Sequence, residues 1–152
     1  MANPEDTPTN IDLLRCMQEI SRYLSALEDP DFSPGEIRSG EKTDSGSIVM
    51  PYAVLGDIAE AFIATAYDGG WVLPGFDWVS WRHSEDAQRL CNDPSALARA
   101  EPMQLLYLIT ALIRQDRFSE GTLLSAFKSR LILGIVRRAA AIVGDEKQQS
   151  QS

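Results

Sequence analysis

Histidine and cysteine are scarce: one histidine, His83, and two cysteines, Cys16 and Cys91, in 152 residues. Such a set cannot furnish the four ligands of a Cys/His zinc site; no metal and no cofactor are expected. A Cys16–Cys91 disulfide stays open, although a reducing cytoplasm favours free thiols. No apolar run approaches the roughly 20 residues that cross a bilayer. The longest, Leu131 to Val136, contains Gly134 and precedes Arg137 and Arg138. Met1 to Asn10 carries acids and prolines where a signal peptide is basic and then apolar. The expectation is a cytoplasmic protein with no membrane association. Repeats and the P-loop, GxGxxG and HExxH patterns are absent. No nucleophile elbow accompanies His83, which lies between Arg82 and Ser84 and reads as a surface residue, so no catalytic residue is assigned.

What is present is an ordinary globular composition, 44% hydrophobic and 24% charged, in a chain long enough to bury one core without disulfides. The net charge of −8 is unevenly placed: residues 1–77 hold 14 acidic and 4 basic side chains, residues 78–152 hold 8 and 10. A direct nucleic-acid binder needs an excess of cations to release counterions, so nucleic acid is not the expected partner. An acidic half serves solubility, and it also attracts a protein partner with a basic surface. Glu28, Asp29 and Asp31 are the candidate partner contacts. Lys128, Arg130, Arg137 and Arg138 read as a solvated cationic face. The alternative is a dock for an acidic partner or for the chain's own acidic half, which would give a homodimer.

Periodicity predicts an all-α fold, a compact bundle of about five helices with one long loop and a minor two-strand element as the main alternative feature. Leu13, Met17, Ile20, Leu24 and Leu27 mark a first helix from about Asn10 to Glu28, stopped by Asp29-Pro30. Residues 32–50 are rich in Ser, Gly and Pro and read as a mobile loop with a short extended piece at Ser47 to Pro51. Val54 to Tyr67 is a second helix closed by Gly69-Gly70. Asp77, Ser84 and Asp93 are placed to cap three short helices. Glu101-Pro102 opens a helix striped by Leu105, Leu108, Ile109 and Leu112. The last helix runs from about Gly121 to Val143, with Gly134 marking a close crossing. A flexible stretch 1–8, a single domain 9–144 and a disordered tail 145–152 complete the expectation.

Two segments stand out: Phe76-Asp77-Trp78 with Trp81, and Arg117-Phe118-x-Glu120-Gly121. On these the chain resembles a small bacterial and archaeal family of unknown function marked by an FDW motif and a later RF-x-EG motif. The resemblance covers about residues 20–143, including Pro51-Tyr52 and the aspartate-glycine turn before Trp71. Ser119 and Thr122 stand where that family carries a cysteine and a histidine, which weakens a thiol or imidazole mechanism. The resemblance implies no activity.

Asp77, Trp78, Trp81, Arg117 and Glu120 are therefore the candidate binding residues. Arg117 offers a rigid five-donor fork for a carboxylate or phosphate. Its structural role would be to pair with Asp77 or Glu120 and pin the aromatic segment. Its functional role would be a site for a phosphorylated or nucleotide ligand, with one of those carboxylates as acid–base group. Trp71, Trp78 and Trp81 read as core and rim packing, and an exposed tryptophan would be a hot spot for protein binding. The leading expectation is a non-enzymatic protein-interaction module. Its sharper form is an acidic inhibitor of a nucleic-acid-binding protein or complex, of the anti-restriction or anti-CRISPR type.

Overall fold

The computed structural model describes residues 10–38, 46 and 52–150, with side chains described between residues 13 and 145. Among them are nine helices and one two-stranded antiparallel sheet. The helical expectation and the minor strand element both hold.

The first predicted helix is two: α1 (Asn10–Ser21) and α2 (Leu24–Glu28), separated by a turn at Arg22-Tyr23. Met17, Ile20 and Leu27 are buried as the three-four spacing requires. β1 (Gly35–Arg38) and β2 (Tyr52–Leu55) pair with Gly35 opposite Leu55 and Arg38 opposite Tyr52. Part of the stretch read as loop is thus a strand, and Phe32 just before it packs on Phe127. The piece expected at Ser47 to Pro51 and the flexible stretch 1–8 lie outside the described residues.

α3 (Asp57–Asp68) follows, then α4 (Trp78–Arg82), α5 (Glu85–Asn92) and α6 (Pro94–Leu97). The three short helices carry the caps read from sequence. Asp77 accepts from Ser80 N–H, Ser84 from Ala87 N–H and Asp93 from Ser95 N–H. α7 (Pro102–Asp116) starts with the Gln104 side chain accepting from Glu101 N–H. It buries every residue from Leu108 to Ile113, so it is a central helix rather than one with a single apolar stripe.

The last predicted helix breaks into α8 (Thr122–Lys128) and α9 (Leu131–Ser150). The break is at Ser129-Arg130, where Arg130 takes a left-handed backbone with φ 69°. Nothing local signals this, since glycine is the usual residue there. α9 also continues past Gly144, because the following Asp, Glu, Lys and Gln are acceptable helix formers and one glycine costs only about 1 kcal/mol. α1 packs along α9, and α6 meets α9 at Gly134, where an added Cβ would lie 2.5 Å from Leu97 Cδ2. The predicted close crossing is present. Cys16 and Cys91 are not joined in a disulfide, and the Cys16 thiol donates to Gly69 O at 3.0 Å; among the described residues no helix is long and apolar enough to cross a membrane.

Candidate interaction surface

The aromatic segment after α3 is fixed from inside. Trp71 is fully buried, and its indole N–H donates to Cys16 O at 3.3 Å. Thr110, the one buried polar residue among those described, donates its hydroxyl to Trp71 O at 2.7 Å. The Thr110 hydroxyl oxygen in turn accepts from Leu73 N–H at 3.1 Å. One side chain of α7 thereby satisfies two backbone groups of an irregular segment that has no ladder of its own. The chain then turns at Pro74-Gly75, with Gly75 at φ 70°, and enters α4.

Within that segment the rings divide. Phe76 stacks on Tyr107 with centroids 4.4 Å apart, and Trp81 lies against both at 6.1 and 5.8 Å. Trp78, three residues earlier on α4, turns the other way and stacks on Phe118 at 6.2 Å and 19°. The two motif segments, 40 residues apart at these rings, therefore meet face to face. Phe118 remains 82% exposed.

The expected ion pairs are not formed. Arg117 is exposed at the end of α7 and donates to Tyr67 Oη at 3.0 Å, with no carboxylate partner among the described residues. Asp77 is committed to the α4 cap. The Ser80 side chain, and then its backbone N–H, hold its carboxyl below the ordinary aspartate value. Glu120 lies before the start of α8, and its Oε1 accepts from Ala53 N–H of β2 at 3.1 Å. Each acid serves a backbone donor, so Arg117, Asp77 and Glu120 do not converge on one ligand position. His83 is exposed, with Nδ1 2.8 Å from Val79 O.

The three acids singled out earlier lie elsewhere. Glu28 pairs with Arg137 at 3.0 Å, both exposed, and Asp29 accepts from Asp31 N–H at 2.9 Å. An intramolecular cation thus already engages one of the proposed partner contacts. The sequence reading missed Tyr67, Tyr107 and Thr110. Tyr107 lies off the apolar stripe of α7, and Thr110 sits inside an apolar run, the one signal that could have marked it as a buried hydrogen-bonding residue. The reading also missed Arg82, which donates to Gln115 Oε1 at 3.1 Å and to Cys91 Sγ at 2.9 Å.

What the surface offers is a stacked aromatic pair, anchored at its base on the capped α4 and open at its tip. Arg117 lies beside it, and Asp77, Asp116 and Glu120 are within two residues of one ring or the other. Residues 14–145 match a family described as Family of unknown function (DUF6508), and the chain belongs to that family. No curated protein and no solved structure gives a significant match.

Proposed function

We propose that this member of the DUF6508 family is a non-enzymatic protein-interaction module whose contact surface is the Trp78–Phe118 stack, and that its partner presents a basic surface. The observation that carries this reading is the 82% exposure of Phe118 on a ring held from below by a capped helix. Rigid aromatics bind with little entropy loss and are enriched among binding hot spots. Asp77, Asp116 and Glu120, each within two residues of a stacked ring in the sequence, and an overall charge of −8 favour a cationic partner. The enzyme reading loses ground because Arg117, Asp77 and Glu120 are each turned to a different partner.

The sharper form is an inhibitor that occupies a basic, nucleic-acid-binding groove. The test starts with capture from native cells by the parent protein and by Phe118→Ala, followed by binding measurements with the purified partner. Truncating an exposed ring should leave stability within about 1 kcal/mol of the parent. Partner affinity should fall at least about tenfold, equivalent to about 1.4 kcal/mol. Binding should weaken above about 0.15 M salt and be displaced by DNA or RNA. Affinity indifferent to Phe118→Ala removes the surface. Affinity indifferent to salt and nucleic acid removes the cationic groove.

A further inference from the structure

Where α6 approaches α9, a cleft of about 540 Å³ opens, lined by Leu90, Leu97 and Leu131 among other aliphatic side chains. Three arginines border it, Arg130, Arg137 and Arg138. It has no carboxylate and no aromatic ring among its described lining residues, and it shares no residue with the Trp78–Phe118 surface. In a chain with eight more acids than bases, a cavity whose charged lining residues are all arginines is a local reversal of charge.

The arginines are not equally occupied. Arg137 is paired with Glu28. Arg138 spends Nε on Ala100 O at 2.8 Å, and no carboxylate among the described residues pairs with its remaining donors or with Arg130. Arg130 is also the one described non-glycine residue with positive φ, 69°. A residue held in that conformation where glycine would be relaxed is a feature that clusters at ligand sites. The cleft begins at the N-terminal end of α9, whose first N–H groups add partial positive charge.

We propose that this cleft binds a small soluble amphipathic anion: an aliphatic chain against the leucines and one carboxylate or phosphate head against Arg130 and Arg138. The volume falls within the range of small-molecule sites. The lack of a ring to stack on argues for an aliphatic body over a nucleobase. Guanidinium forks match a carboxylate or phosphate in charge and in shape.

The test is calorimetric titration of the full chain with octanoate, octanol and octyltrimethylammonium, with amide shifts of Ala98, Gly134 and Ala141 locating the site. Octanoate should bind with a Kd below about 1 mM and the other two about tenfold more weakly or worse. Arg130→Gly should lower octanoate affinity about tenfold without lowering the melting midpoint, because glycine suits φ 69°. Arg138→Gln should weaken it in the same direction. Equal binding of octanol, absence of millimolar octanoate binding, or octanoate binding untouched by Arg130→Gly overturns the proposal. So does sedimentation with anionic vesicles in the absence of octanoate binding, which would make the cleft a membrane contact.

Discussion

Replacing Thr110 by valine tests whether one hydroxyl holds the aromatic segment in place. The substitution keeps the branched shape and the volume, so no cavity opens in α7. What disappears is the donor 2.7 Å from Trp71 O and the acceptor 3.1 Å from Leu73 N–H. Trp71 is fully buried, so its carbonyl has no route to water. An orphaned buried polar group costs about 1–3 kcal/mol. Leu73 is half-buried, and its N–H regains part of its loss from solvent. The sum is about 2–4 kcal/mol, leaving out a gain of about a few tenths of a kcal/mol for the more apolar side chain. For a domain of this size each kcal/mol moves the midpoint by roughly 2–4 °C, so the melting temperature should fall by about 4–16 °C. Circular dichroism melts and urea titrations read this directly, with an unchanged m-value showing that the stability itself has changed. Thr110→Ser, which keeps the hydroxyl and loses one methyl, should cost about 1 kcal/mol. A valine variant as stable as the parent, or a serine variant worse than valine, refutes the clamp.

Three further outcomes follow from the same geometry. The folded carboxyl of Asp77 lies below its unfolded value, so its stabilising contribution is present above the unfolded pKa and is lost as pH falls through the folded one. The Ser80 amide resonance should therefore titrate with a midpoint below that of an unperturbed aspartate, and a midpoint at or above the ordinary value contradicts the cap. Gly134→Val places a branched side chain where even a Cβ meets Leu97 at 2.5 Å, and should destabilise by about 1–3 kcal/mol in denaturant titration. Arg130→Gly relieves the left-handed backbone at φ 69° and should raise stability by about 1 kcal/mol; a loss of stability would show that the arginine side chain supports the fold.

What sequence could reveal here was local. Asp77, Ser84 and Asp93 cap helices through bonds spanning two or three residues, and each was legible. Gly134 was legible because a glycine inside a helix needs a packing reason. The break at Arg130 was not, since the conformation normally announced by glycine is taken by an arginine. β1 was expected only as part of a two-strand element without a position, because a four-residue strand with three exposed residues has no apolar alternation, and its nearest paired residues, Arg38 and Tyr52, are 14 apart. The pairing expected for Arg117 failed for a related reason. Sequence proximity places charges near one another, but Asp77 and Glu120 had backbone donors to satisfy first, one in its own helix and one on β2.

The candidate surface follows from the same competition. Phe76 and Trp81 take their places against Tyr107, and the α4 geometry then leaves Trp78 facing outward, where the turn after α7 brings Phe118 over it. Neither ring of that pair is fully buried, so the hydrophobic effect is only partly satisfied there. Thr110 and Phe118 are therefore opposite probes of one segment. Loss of the Thr110 hydroxyl should unfold the protein more easily while the folded fraction binds as before. Loss of the Phe118 ring should leave the melt in place and abolish the contact. If both variants lose partner binding only in proportion to the folded fraction they retain, Phe118 is a packing residue at the rim, and the interaction surface lies elsewhere on the molecule.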